Sequence, residues 1–360
     1  MVIDKDLDVL AEDIRDKNIH DSKIVITGST GLLGSVFVKG FLVANNKYKL
    51  NNTVFALARS EEKAKDVLGG IDDSHLIVRQ YQIEEPINID EDVDYVYHFA
   101  AITSSKDMVT YPVELIESTM LGIFNILKFS KQYNAKSVVF MSTMETFGIA
   151  QDQTKRLTEK DLGYLDLTSV RSCYPESKRL AENYCTCFAK EYGLNVKVAR
   201  LTQTFGAGAK YDDARVFGMV ARSAVENKDI VLFSKGDLAR DYCYTTDALN
   251  AVLYISEFGE SGEVYNVANE ETQTNVINMC RMIAREFTND KIQVRIEIPE
   301  DVASKGFSPA SITQLDTTKL KALGWNARYN LKDMYARLIE SYREQLLTNE
   351  KKGADNFEKN

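Results

Sequence analysis

The chain has 360 residues, a formal net charge of −9 and a pI near 5.1. That length buries a substantial core without disulfide or metal staples. The acidic balance, with no Lys/Arg-dense block, excludes a nucleic-acid surface. No apolar run reaches the length of a membrane span and the N-terminus carries no apolar signal core, so a cytoplasmic protein with no membrane partner is expected.

Residues 4–17 place Leu7, Leu10, Ala11 and Ile14 at helical spacing among acids, which predicts a short amphipathic helix that serves packing. The stretch Lys23-Ile-Val-Ile-Thr-Gly28-Ser-Thr30-Gly31-Leu32-Leu33-Gly34 follows, a β-branched run leading into three glycines at spacing three and then an apolar helical pattern. It reads as the first strand, phosphate turn and first helix of a dinucleotide-binding sheet. Gly28 lets the chain leave the strand sharply, Gly31 lets backbone N–H groups approach a pyrophosphate, and Gly34 lets helix and strand pack closely. The positive end of the helix then faces the phosphates.

Thr53–Arg59 reads as the second strand, and its end is where such folds select their cofactor. An NAD site usually places an acid there for the ribose 2′-hydroxyl, whereas this chain has Ala58 followed by Arg59. A guanidinium pairs with a 2′-phosphate, so the cofactor is expected to be NAD or NADP, with NADP favoured. Leu76–Ile83 is a third strand, with Gln82 and Ile83 at the adenine end, and Asp94–Ala101 is a fourth, ending in the small pair Ala100 and Ala101 under the nicotinamide ribose. His98 is assigned no chemistry. Helices are expected over Pro112–Gln132 and Pro175–Tyr192, with strands at Ser137–Ser142 and Asn195–Leu201. This alternation predicts an α/β fold with a doubly wound parallel sheet.

The expected organisation is a dinucleotide-binding domain over 1–204 with 239–269, where Arg240–Tyr254 and Val264–Ala268 return to the sheet. A smaller discontinuous lobe takes 205–238 with 270–345, and 346–360 form a disordered polar tail. Five cysteines, Cys173, Cys185, Cys187, Cys243 and Cys280, are an odd number without Cys-x-x-Cys spacing. Reduced, mostly buried thiols and no metal site are expected.

The chemistry gathers around Met141-Ser-Thr143-Met144-Glu145-Thr-Phe-Gly148, at the end of a parallel strand, and Arg171-Ser-Cys-Tyr174-Pro-Glu176-Ser-Lys178-Arg179. Tyr174 and Lys178 are four apart and share a helix face. An ammonium there is expected to lower the phenol pKa and make Tyr174 a usable base.

This order of glycine turn, Ser-Thr strand end and Tyr-x-x-x-Lys resembles the extended short-chain dehydrogenases/reductases, the NAD-dependent epimerase/dehydratase enzymes of nucleotide sugars. Supporting matches are His98-Phe-Ala-Ala101, Arg200-Leu-Thr-Gln-Thr-Phe-Gly206, Arg240-Asp-Tyr-Cys-Tyr-Thr-Thr-Asp247 and Asp316–Trp325. The Arg171–Arg179 and Ser142–Gly148 segments are closest to UDP-glucuronate decarboxylases. The resemblance implies a Rossmann fold, a nucleotide-diphosphate-sugar substrate and a transient 4-keto sugar. Tyr174 would take the 4-hydroxyl proton, Lys178 would tune it and bind the nicotinamide ribose, and Thr143 would hold the 4-oxygen. Glu145 would assist at C6, and Gln203 and Arg240 would meet the substrate.

The resemblance also implies a homodimer, built on the apolar faces of Val113–Phe129 and Leu180–Tyr192. Decarboxylation and 4-epimerisation lead. A 4-keto reductase, a 4,6-dehydratase and a nucleotide-sensing scaffold stay open. Met144, Thr119 and Gln203 depart from the family pattern: dehydratases carry an acid at the first position, and the family has asparagine at the other two.

Overall fold

The computed structural model describes residues 1–69, 74–298 and 312–357. Helix α1 (Val2–Asp16) turns Leu7, Leu10, Ala11 and Ile14 inward. Strand and helix then alternate through β1 (Lys23–Thr27), α2 (Leu32–Tyr48), β2 (Thr53–Ala58), α3 (Glu61–Leu68), β3 (Leu76–Gln80), β4 (Tyr95–His98), α4 (Ser105–Thr110) and α5 (Pro112–Gln132). The chain continues into β5 (Ser137–Thr143), α6 (Cys173–Tyr192), β6 (Val196–Leu201), β7 (Gln203–Phe205), α7 (Val216–Glu226), β8 (Ile230–Leu232) and β9 (Ala239–Tyr244). It ends with α8 (Thr245–Phe258), β10 (Val264–Val267), β11 (Asn269–Asn275), α9 (Val276–Thr288), β12 (Val294–Ile296), β13 (Ile312–Thr313), α10 (Thr318–Lys321) and α11 (Leu331–Phe357).

Seven strands form one sheet in the order β10-β6-β5-β4-β1-β2-β3, and every pairing in it is parallel. The fold is therefore the doubly wound Rossmann arrangement. Its central strands are Val- and Ile-rich because helices cover both faces. On one face α1, α2 and α8 pack a core that includes Leu10, Phe37, Phe41, Leu249 and Val252. On the other, α5 and α6 bury Ile123, Ile126, Leu127, Ala181 and Cys185. Since all seven strands run the same way, their C-terminal ends share one edge, and the crevice along that edge receives the ligand in open α/β sheets.

A second core joins α7, α9 and α11 through Phe217, Val220, Ile283, Leu338 and Tyr342. Here β9 differs from expectation. It does not return to the large sheet but pairs with β7, β11 and β13 in a smaller one. All six of its residues are buried, so its sequence announces an interior strand without saying which sheet owns it. Strands β8 and β12 pair as a separate parallel ribbon.

Two further differences concern boundaries. Strand β3 stops at Gln80, leaving Gln82 and Ile83 in the following turn. Helix α11 runs on to Phe357, into the 346–360 segment expected as a disordered tail. Its Asn349-Glu-Lys-Lys stretch contains no proline and continues a helix already anchored on the second core. Residues 299–311 of the expected lobe and 358–360 of the expected tail lie outside the described residues. Cys173, Cys185, Cys243 and Cys280 are buried free thiols and Cys187 is exposed. Among the described residues no helix is long and apolar enough to cross a membrane.

Candidate active site

The glycine turn is shaped by close approaches. Gly28 has φ +66°, and a Cβ on it would lie 2.7 Å from the Ala100 nitrogen. A Cβ on Gly34 would collide with the Gly28 carbonyl. Gly31 is the N-cap of α2 and offers no side-chain cap. The first-turn N–H groups of α2, Leu32 and Leu33 included, are thus left for a ligand at the positive helix end. The end of β4 is fixed by Thr27, whose Oγ1 accepts from the Ala100 N–H at 3.2 Å and lies 2.7 Å from His98 Nδ1. Burial pushes the His98 pKa down to about 3, so this imidazole is neutral and structural.

Around this turn the expected cofactor residues occupy neighbouring strand ends. Thr30 through Gly34 follow β1, exposed Arg59 follows β2, and Gln82 and Ile83 follow β3. Ala100 and Ala101 follow β4 on the opposite side of β1. Asn125 of α5 pins the turn after β3, its Nδ2 donating to the carbonyls of Ile83 at 3.1 Å and Glu85 at 2.9 Å.

Thr143 closes β5 and caps the 3-10 turn Met144–Phe147, its Oγ1 accepting the Glu145 N–H at 3.2 Å. Tyr174 enters this region from the first turn of α6 and is 7% exposed. One turn on, Lys178 is 2% exposed, donates to the Met141 carbonyl at 2.9 Å, and lies 4.4 Å from the Phe140 ring centroid.

The expected lowering of the Tyr174 pKa is corrected here. Burial raises it and the Glu145 carboxylate adds to the rise, while Thr143 and Arg171 pull the other way. Burial also brings Lys178 down to about 8, opposed by Glu182. Both shifts favour the neutral forms, as desolvation dictates. Thr119, at the family's asparagine position, folds back on its own helix, donating to the Leu115 carbonyl at 2.8 Å.

Arg171 is the site residue that sequence reasoning quoted but gave no role. It stands on the 3-10 turn Val170–Ser172 just before α6, and its Nη2 donates to Glu145 Oε2 at 2.7 Å. Its guanidinium carbon is 6.0 Å from the Tyr174 ring centroid. Arg240, on β9, is 8% exposed, and its charge is coupled to Glu145 favourably and to Arg171 unfavourably. The Nε atoms of both arginines are buried without a hydrogen-bond partner among the described residues. Two guanidiniums therefore share one carboxylate beside the phenol, and with Glu145 paired to Arg171 the buried Arg240 has no ion pair among the described residues, which is unfavourable until an anion joins it.

Gln203 is half-buried on β7, opposite Tyr242 of β9. Met144 packs with Phe147, Leu157, Ala268 and Leu315, and its sulfur accepts from Thr202 Oγ1 at 3.2 Å. Position 144 thus carries a buried thioether and no acid. Other residues of the motif are scaffolding. Arg179 donates to the carbonyls of Thr146 and Gly163, each at 2.7 Å, and the buried Glu182–Arg200 pair supports Ser142.

The chain is similar to known proteins over most of its length. UDP-glucuronic acid decarboxylase 5 of Arabidopsis thaliana is 25% identical over 327 residues, covering 90% of each chain. Among solved structures, the UDP-glucose 4-epimerase of Thermotoga maritima with UDP-glucose superposes with a TM-score of 0.72 at 23% identity, covering 90% of this chain and 99% of that one. The UDP-glucuronic acid 4-epimerase of Bacillus cereus in complex with NAD gives 0.71 at 19% identity, with coverage of 90% and 99%. The model of the NAD dependent epimerase/dehydratase family matches residues 24–268, which take in the glycine turn, Thr143, Tyr174, Lys178 and Arg240, and the chain belongs to that family.

Proposed function

We propose that this protein is a cofactor-recycling nucleotide-sugar enzyme that works through a 4-keto intermediate on a UDP-linked sugar acid, with decarboxylation as its outcome. The observation that carries the acidic substrate is the pair of guanidiniums, half-buried Arg171 and buried Arg240, set against the single carboxylate of Glu145 beside Tyr174. A substrate carboxylate supplies the missing negative charge. The similarity to UDP-glucuronic acid decarboxylases supports the same substrate class.

Bound NAD(P) would supply the hydride acceptor for C4 and return the hydride afterwards. Tyr174, in its phenolate form, takes the 4-hydroxyl proton, with Thr143 orienting that oxygen, and Lys178 would hold the nicotinamide ribose and, as an ammonium one turn away, favour that phenolate. Once C4 is a ketone, the C6 carboxylate is β to it. The C5–C6 bond breaks, its electron pair enters the enolate, carbon dioxide leaves, and C5 takes a proton. Glu145, held by Arg171 beside Tyr174, delivers that proton. The buried thioether at position 144 argues against loss of a C6 hydroxyl. Arg59 favours NADP over NAD, and the outward faces of α5 and α6 favour a homodimer.

The deciding experiment incubates the purified protein with UDP-glucuronate and, separately, with UDP-glucose, and follows carbon dioxide, product mass and anomeric NMR signals. Carbon dioxide and a UDP-pentose, with no net change in bound cofactor, are expected. Inversion of the acid at C4 without carbon dioxide makes it an epimerase of the same substrate class. Turnover of UDP-glucose alone sinks the acidic-sugar reading, and stoichiometric consumption of NADPH identifies a reductase.

A further inference from the structure

Helix α1 lies ahead of the stretch matched by the family model, yet it carries a carboxylate that is almost fully buried. Asp6 is 1% exposed, and it accepts the Tyr244 hydroxyl at 2.6 Å and the guanidinium of Arg337 on α11. A carboxylate in such a place is tolerated only when paired, and its partners come from β9 and α11 of the second core. The same Tyr244 oxygen accepts the backbone N–H of Ala207 at 3.2 Å. One residue later the chain turns at Gly208, with φ +95°. A Cβ there would lie 3.1 Å from Val36 of α2 and 3.4 Å from Ile3 of α1. The segment after Gly208 consequently lies against the start of α2. Together they line a half-open cleft of about 200 Å³, with Thr30, Gly31 and Ser35 on one wall and Lys210 and Asp213 on the other.

We propose that α1 is a positioning element for the dinucleotide. Through Asp6 and Tyr244 it holds the 207–215 segment against the glycine turn as the second wall of the cofactor-phosphate site, and so slows cofactor release. The inference rests on the recycling reading only for why retention matters: an enzyme that takes a hydride and returns it within one turnover gains from keeping the carrier bound. Asp6 and Tyr244 touch neither sugar nor reacting atoms. They act through Ala207 and Gly208.

The test needs no sugar. NADH and, separately, NADPH are bound to the full chain, and their displacement by excess unlabelled oxidised cofactor is followed by stopped-flow fluorescence. Tyr244→Phe removes the hydroxyl that joins Asp6 to Ala207, and Asp6→Asn removes the charge that holds it. Release about tenfold faster is expected for each, the scale of one lost buried hydrogen bond. Asp13→Asn is the control. Asp13 ties α1 to Arg328, which also holds Asp247 of α8, without reaching the 207–215 segment. It should lower the melting temperature and leave release unchanged.

Unchanged release from folded Tyr244→Phe, or equal acceleration in Asp13→Asn, overturns the proposal, because the helix then merely stabilises. Should Asp6→Asn fail to fold, Tyr244→Phe and Ile3→Ala carry the test, the latter loosening the contact at Gly208. Failure of the decarboxylase reading would leave these dinucleotide measurements untouched.

Discussion

Tyr174 and Lys178 sit one helical turn apart, and burial moves both toward their uncharged forms, the phenol upward and the ammonium down to about 8. The pair was legible in the sequence because four-residue spacing on a helix fixes a shared face whatever surrounds it. Its electrostatics were not, since they depend on Glu145, Arg171 and the depth of the cleft, which only the tertiary fold brings together. Tyr174→Phe should lower turnover by about 10² to 10⁴ while dinucleotide affinity stays near wild type. Calorimetric titration beside steady-state rates checks this, and near-normal turnover would remove Tyr174 as the proton-transfer group.

For Lys178 the sign follows from the lowered pKa. Between about 8 and 10.5 the unfolded chain binds more protons than the folded one, so this group's contribution to stability rises with pH across that window. The melting temperature of the wild type relative to Lys178→Met should therefore climb from pH 8 to pH 10. A flat difference would mean that Lys178 keeps an ordinary pKa. Arg59 presents a simpler case, an exposed guanidinium at the end of β2. Arg59→Ala should weaken NADP binding about tenfold and NAD binding little, the scale of one charge-assisted contact; equal losses would dismiss it as the 2′-phosphate ligand.

At the scale of elements, the segments that announced themselves were those in which local chemistry and final environment agree. Pro112 at the first helical position and a long apolar stripe give α5 the limits expected for it, and the β-branched run before Gly28 gives β1. Strand β9 was expected in the large sheet and lies in the smaller one, because a segment buried on both faces carries no mark of its neighbours. The contact between Glu145 and Arg171 was hidden for a related reason. It spans the long irregular stretch between β5 and α6, whose path is set by anchors such as Arg179 on the Gly163 carbonyl. The glycine turn makes a sharper prediction. Gly34→Ala puts a methyl against the Gly28 carbonyl and should destabilise by about 1–3 kcal/mol, the usual range for overpacking. It should also reduce dinucleotide binding, because the turn and α2 must separate. A variant that melts and binds like wild type would show that helix and strand have room to spare.

The whole molecule joins a doubly wound sheet to a smaller lobe, and its outer face bears on assembly. Helices α5 and α6 bury one side against the sheet, yet Val113, Ile116, Leu121 and Phe124 of α5 and Leu180 of α6 are between 37% and 60% exposed. Phe124 stacks on Tyr184 of the neighbouring helix, with ring centroids 6.4 Å apart, so the apolar side chains of the two helices adjoin. Contiguous apolar surface of this kind is uncommon on a soluble monomer. A twofold axis through it would pack α5 and α6 against the same pair of a second copy, in a self-complementary contact. Each substitution in such a face acts twice, so the double variant Phe124→Glu with Leu180→Glu places four carboxylates in the contact. Sedimentation equilibrium at micromolar concentration should give twice the chain mass of 40.6 kDa for the wild type and the single chain mass for the variant. The variant's far-ultraviolet circular dichroism should be unaltered, since these side chains face away from both cores. A wild type that sediments as a monomer, or a variant that keeps the doubled mass, would show that this face is not the dimer contact.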